Sequence, residues 1–171
     1  MSEPDGALRA AEWQSLARAA ARGGELDQEV EVLRELLTFR LAQAPYAIPV
    51  ERVREIVRPR QVTPMPRVPG AVIGVIALRG EIVQVLDLRR RLDLPAPVPG
   101  RSSRVIVLHG EDERVTGVLV DEVREVLRVR EEAIRQTSAS DGGYVSELCS
   151  RGDEFISMID VDRVLDLGGD H

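Results

Sequence analysis

IGVIALRGEIVQVLDLRRRLDL, residues 73–94, is the stretch whose reading decides the fold. At its centre Arg79 and Gly80 interrupt two apolar runs, and glycine's tolerance of positive φ suits a tight reversal there. The run Val72–Leu78 is apolar at almost every position, the pattern of a strand covered on both faces. A second strand over 82–86 returns beside it. Asp87 stops that strand and is a good N-cap for a helical turn over 88–92, where Leu88 and Leu92 meet at i,i+4 beneath solvated Arg89, Arg90 and Arg91. The stretch reads as a capped hairpin with an arginine at its tip.

Moving outward toward the N-terminus, Pro59, Pro64, Pro66 and Pro69 hold the approach to the hairpin in extended geometry. Before them lies VERVREIV, residues 50–57. Val50, Val53 and Val57 fall at i, i+3 and i+7, which predicts a helical turn, with Arg54 and Arg58 at helical spacing from Glu51 and Glu55 in pairs of about 0.2–0.5 kcal/mol each. LLTFRLA at 36–42 alternates as an amphipathic strand, and a turn at 43–45 leads into a short strand at 46–49. Residues 1–35 differ from the rest. Ser2, Glu3 and Pro4 open one expected helix, Gly23 and Gly24 end it, and Leu26, Val30, Leu33 and Leu37 predict a second at i, i+4, i+7 and i+11. Such a tail either packs on its own body or presents a helix to a partner.

Toward the C-terminus, PAPVPGRSS at 95–103 is the clearest linker in the chain. Beyond it the first half recurs. VERVREIV at 50–57 matches VDEVREVL at 120–127, with only Arg52 against Glu122 reversed in charge, and RGEIVQVLDLRRRLDL at 79–94 matches RGDEFISMIDVDRVLDL at 151–167 with one residue inserted. Asp87 then faces Asp160. Two matches in the same order indicate an internal duplication, with a period too long for a solenoid. Further strands are expected near 104–108, 115–120, 144–149 and 154–159, with a mixed loop at 134–143. Short strands separated by turn signals suit small barrels.

The 171 residues suffice for one domain or two closely packed small ones. Aromatic residues are only 3%, so the core must be aliphatic, which favours strands. A net charge of −6 argues against binding nucleic acid through its backbone, and against an RNA-binding small barrel. The single cysteine, Cys149, excludes a disulfide framework and reads as a buried thiol rather than a nucleophile. With no signal peptide and no 18-residue apolar span evident, the expected context is a soluble cytoplasmic protein without direct membrane insertion.

The search for chemistry is mostly negative. His109 and His171 have no partners at catalytic or metal-ligand spacing, and the glycines form no phosphate-binding pattern. Asp87, Asp121 and Asp160 each follow an apolar strand, so capping explains them better than the paired carboxylates of a small hydrolase. No catalytic, cofactor or metal residue is expected. What remains is a surface: Arg79 at the hairpin tip, Glu55 and their apolar neighbours make either an ordinary exposed turn or an anchor for a protein partner.

The order LLTFRLAQAPYAIPVERVREIV, VTPMPRVPGAVIGVIALRGEIVQVLDLRRRL, GVLVDEVREVL and FISMIDVDRVL resembles the CheW-like coupling proteins of bacterial chemotaxis over about residues 36–167, most specifically in LRGEIV and LDLR. The resemblance implies a mainly β fold of two intertwined five-stranded SH3-like barrels with short helices. Barrel 1 would span about 44–94, the linker 95–103, and barrel 2 about 104–167 plus the first strand, after a helical extension at 1–35. It also implies a non-enzymatic adaptor that joins the cytoplasmic hairpin tip of a methyl-accepting chemoreceptor to the regulatory domain of a CheA-type histidine kinase, in membrane-associated arrays, with other CheW-like domains as further partners. On this reading Val53, Glu55, Ile56, Arg79, Gly80 and Val83 form the receptor groove, and Val72, Gly74 and Ile76 approach the kinase. The alternative is an adaptor of a parallel chemosensory pathway, controlling motility or development, whose extension binds something else. The sequence departs from the family pattern at Ala77, where Asn is usual, at Gln84, where proline is common, and in AQAPYA, which lacks the glycine expected in the first hairpin.

Overall fold

A computed structural model describes residues 32–59, 62–68, 70–111 and 113–167. The helices expected within residues 1–31 lie outside the described residues. The chain divides at Leu33 and Arg34 into two units, and the second carries the fold. Its elements are β1 (Leu33–Leu41), β2 (Ala44–Pro49), β3 (Val53–Val57), β4 (Val72–Leu78), β5 (Glu81–Asp87), α1 (Leu88–Arg91), β6 (Arg104–His109), β7 (Val115–Val120), β8 (Glu122–Arg130), β9 (Ile134–Ser140), β10 (Val145–Arg151), β11 (Glu154–Ile159) and α2 (Val161–Leu165).

The strands form two sheets, in the orders β3-β6-β7-β5-β4 and β8-β1-β2-β11-β10-β9. Neighbours are antiparallel except at β5–β7 and β11–β2, where two hairpins lie side by side in parallel. The first hairpin of each half sits in the sheet of the other. β1 and β2 pair beside β8 and β11, whereas β6 and β7 pair between β3 and β5. The mainly β, intertwined architecture is therefore as expected, but its boundaries differ from 44–94 and 104–167: the whole hairpin β1–β2, not the first strand alone, joins the second sheet. That sheet has six strands, because residues 134–140, expected as loop, pair with β10 as β9.

Burial follows from this exchange. Val105, Val107, Val83, Val85, Ile76, Leu78 and Leu119 fill the five-stranded sheet, and Leu36, Ala47, Cys149, Ile156 and Met158 fill the six-stranded one. The largest cluster draws on both: Phe39 and Ile48 from the first hairpin meet Ile106 and Val118 from the third, with Leu88 and Val161 of the two short helices. Alternate residues of β6 and β7 thus face different cores, so these strands are buried on both sides. The expectation of two covered faces for Val72–Leu78 is met less well, since Ile73 and Val75 are only half-buried and Ala77 is exposed.

Local rules account for most elements. The β1–β2 and β4–β5 turns have positive φ at their two central residues, Ala42 (50°) and Gln43 (71°), then Arg79 (53°) and Gly80 (82°), the twist that suits two-residue reversals. The first turn accordingly lies at 42–43, ahead of the expected 43–45. Asp87 accepts a hydrogen bond from the Arg89 amide and Asp160 one from the Arg163 amide, so both carboxylates cap their helices as expected.

Three expectations fail, each because tertiary partners override local spacing. Residues 50–57 are not helical beyond a 3-10 turn at Val50–Arg52; Val53–Val57 is a strand because it pairs with β6, and β-branched residues suit that setting. Leu33 and Leu37 belong to β1 rather than to a helix. Arg89 and Arg91 are buried, at 2% and 8% exposure, and only Arg90 is solvated. Arg89 bridges Asp87 and Asp121, at 3.0 and 2.8 Å. Arg91 lies over the Tyr144 ring and donates to the carbonyls of Val164, Arg163 and Asp166 at the end of α2, linking the two halves.

Candidate functional site

The hairpin tip and strand β3 make the site. Arg79 reaches across to Glu55, its Nε 3.2 Å from each carboxylate oxygen and its Nη2 2.9 Å from Oε1. Beside it Arg54 donates in the opposite sense to Glu81, at 3.3 and 3.2 Å. Since β3 and β4 stand at opposite ends of the sheet order, these two pairs draw the ends together and close the sheet toward a barrel. The charge pairs predicted along a helix at 51–58 are replaced by these cross-strand ones.

The pair is asymmetric. The Arg79 side chain is 70% exposed and that of Glu55 17%, so the carboxylate is largely covered while the guanidinium faces outward. Ile56 and Ile82 are the exposed large apolar side chains of these strands, 39% and 70% accessible. Gly80 is open, with nothing near the position a Cβ would take. An outward guanidinium, a nearly flat turn and two aliphatic side chains are chemistry for gripping a protein segment.

Of the expected groove residues, Glu55 and Arg79 are brought together, Gly80 is exposed next to Arg79, and Ile56 is exposed next to Glu55 in β3. Val53 is half-buried against the shared core and Val83 is fully buried, so Val83 supports the site from beneath. Ile82 is the exposed neighbour that sequence reading passed over, although alternation from buried Val83 points to it. The expected kinase residues are likewise covered. A bulge between Val72 and Gly74 breaks the alternation: Val72 and Ile76 are buried in the core clusters, Ile73 packs partly against one of them, Gly74 is covered by the 62–63 segment, and of the rest of β4 Val75 is half-buried and Ala77 exposed.

Gly74 has its own reason to be glycine. Its φ is 142°, and an added Cβ would run into the Thr63 carbonyl and the Val62 side chain. Thr63 and Val75 exchange two backbone hydrogen bonds of 2.9 Å there, so the proline-rich segment lies along β4. We expect Gly74→Ala to displace this segment and lower stability by about 1–3 kcal/mol, with faster amide exchange at Val75; unchanged exchange there would show that the contact is not needed.

Other polar groups are structural. Arg52 pairs with Asp162 at 2.7 Å, and this hydrogen bond holds the Asp162 carboxyl below its usual range. Asp121 is not a helix cap; it accepts from the Ala42 amide and from Arg89. Cys149 is buried in the second core, and burial pushes its thiol up. His109 ends β6, where its carbonyl accepts from Arg52. Among the described residues, no group of three or more His, Cys, Asp or Glu is placed to hold a metal ion, and no helix is long and apolar enough to cross a membrane.

Comparison with known proteins agrees with this fold. The family model for the CheW-like domain matches residues 35–168. The chemotaxis protein CheW of Rhizobium meliloti is 38% identical over 135 residues, 77% of this chain and 86% of that protein. Protein FrzA of Myxococcus xanthus is 34% identical over 96 residues, 56% of this chain and 59% of its own length. Among solved structures, the scaffolding protein TtCheW of Thermoanaerobacter tengcongensis superposes with a TM-score of 0.75 at 26% identity, covering 81% of this chain and 96% of that one. With the two-sheet fold, the duplicated capped hairpin and the family match all in hand, the chain belongs to the CheW-like family of chemotaxis scaffold proteins.

Proposed function

We propose that this scaffold is a contact adaptor, coupling the cytoplasmic hairpin tip of a chemoreceptor to the regulatory domain of a CheA-type histidine kinase in receptor arrays on the cytoplasmic side of the membrane. The observation that carries the receptor half is the Arg79–Glu55 pair at the hairpin tip, flanked by exposed Ile56 and Ile82. A helical hairpin tip offers aliphatic side chains for the isoleucines and polar groups for the guanidinium. The kinase approaches β4 through half-buried Val75 and exposed Ala77, beside the buried Val72 and Ile76. Kinase output then changes through assembly, without a reaction on this chain. Similarity to FrzA supports a second reading, an adaptor in a parallel pathway.

The test is ternary assembly of this protein with a CheA regulatory domain and a receptor hairpin fragment, followed by kinase output with full-length kinase. Arg79→Glu sets a second carboxylate beside Glu55, and receptor binding is expected to weaken about tenfold or more. Thermal melting should shift little, because exposed ion pairs contribute about 0–1 kcal/mol. Unchanged receptor binding overturns the groove assignment, and a collapsed melting transition makes Arg79 structural instead. Assembly with a different receptor and kinase pair only would favour the parallel pathway.

A further inference from the structure

The ladder between β3 and β6 ends with Val57 opposite Val105, which brings the next residue on each side, Arg58 and Arg104, to neighbouring positions. Like charges facing each other across a ladder destabilise it. A third guanidinium joins them, since Arg58, Arg101 and Arg104 line one cleft of about 510 Å³ together with Pro59, Pro99 and Gly100. No carboxylate is among the lining residues. The chain carries 29 acidic residues to 23 basic ones, and Arg34, Arg52, Arg54 and Arg79 each pair with a carboxylate. Among the described residues the three arginines of the cleft form no ion pair.

The cleft is shaped in advance. Ser103 is 3% exposed; its hydroxyl accepts from the Gly100 amide at 2.9 Å, and its own amide donates to the Gly100 carbonyl at 3.2 Å. The turn that carries Arg101 is closed by these two bonds. Arg104 is aimed by Nη1, which donates to the carbonyls of Arg101 and Ser103 at 2.9 and 2.7 Å. Pro59 and Pro99 have fixed φ and offer rigid apolar surface. The stretch 95–103, which reads as a linker, therefore ends as one wall of a built cavity.

Its chemistry selects an anion. The planar fork of a guanidinium donates paired hydrogen bonds to phosphate oxygens, and three forks match a ligand with more than one phosphoryl group. The volume falls within the range of about 300–1,000 Å³ usual for small-molecule sites. A net charge of −6 disfavours a long polyanion, whose backbone would meet the acidic remainder of the surface. We propose that Arg58, Arg101 and Arg104 bind the phosphate groups of a small soluble ligand of nucleoside-diphosphate size, with its organic part against the prolines. The cleft shares no residue with the receptor groove or with β4, so the assignment stands apart from the adaptor reading.

Calorimetric titration with ADP tests this, with pyrophosphate and adenosine as its two parts, in the wild type, in Arg58→Gln, in Arg101→Gln and in the double variant. Both side chains are exposed, so circular dichroism of the variants should match the wild type. One ADP per chain is expected, with pyrophosphate competing and adenosine not binding. Each substitution should weaken ADP about tenfold, the loss of a charge-assisted contact. Added salt should weaken it further. ADP should also raise the melting temperature of the wild type and not of the double variant. Absence of ADP binding, or equal affinity in the double variant, overturns the proposal. So does a glutamate-rich peptide that binds tighter than ADP and is lost in the double variant, which would make the cleft a contact for an acidic protein segment. Capture by phosphatidylglycerol vesicles without binding of ADP or pyrophosphate assigns it to a lipid surface, and the soluble ligand is then excluded.

Discussion

Arg89→Leu is expected to lower the unfolding free energy by about 3–5 kcal/mol, the range for removing one partner of a buried ion pair. The side chains of Arg89 and Asp87 are both only 3% exposed, and Asp121 on the loop before β8 completes the bridge. Arg89 donates from Nε and Nη2 to the two Asp87 oxygens and from Nη1 to Asp121. Leucine fills the space but leaves the Asp87 carboxylate with the Arg89 amide and the exposed Arg90, whose Nε is 3.6 Å away. An uncompensated buried charge is what makes the loss large. Lysine at position 89 keeps the charge yet cannot present a planar fork to two carboxylates, so it should recover only part of the stability. Urea denaturation measures both. A loss below about 1 kcal/mol for Arg89→Leu, the level of a surface pair, would show that Asp87 finds compensation elsewhere.

Phe39→Ala should cost a similar amount, about 3–5 kcal/mol, through lost transfer energy and the cavity left behind. Phe39 is fully buried in the cluster that both sheets share, and its ring stacks on Tyr46 with centroids 6.2 Å apart. The more telling expectation is the shape of the transition. Because each half lends a hairpin to the sheet of the other, neither sheet can unfold alone without stripping strands from its neighbour. The variant should therefore melt earlier in one cooperative step, with secondary and tertiary signals coincident. Two separated transitions would show that the sheets are independent despite the exchange. Typical domains are stable by only about 5–15 kcal/mol, so either substitution should also lower the yield of folded protein.

The hairpin at 72–87, the reversal at Arg79 and Gly80, the caps Asp87 and Asp160 and the strands β6, β7, β10 and β11 were legible because each depends on neighbours in sequence, whereas β8 and β9 were not expected as strands. VERVREIV was misread for the complementary reason. Its valine spacing fits a helix and a strand equally, and only the ladder to β6 decides between them. RQTSAS within β9 has no alternation to announce a strand, and it becomes one because β10 offers an edge. The site was half legible: Arg79 and Glu55 stood out as a candidate pair, but the helical expectation would have spent Glu55 on Arg58.

By itself the amino-acid order determined the repeat, the two Asp-capped hairpins and the aliphatic, strand-forming composition, all properties of residues within a few positions of one another. Only the tertiary structure decided which hairpin joins which sheet, that Arg89 and Arg91 lie inside rather than in water, and that Arg79 at the hairpin tip is clasped by Glu55 from an edge strand. Those outcomes turn on desolvation and on pairing between segments tens of residues apart, and a charged side chain is buried only when the fold brings its partners to it.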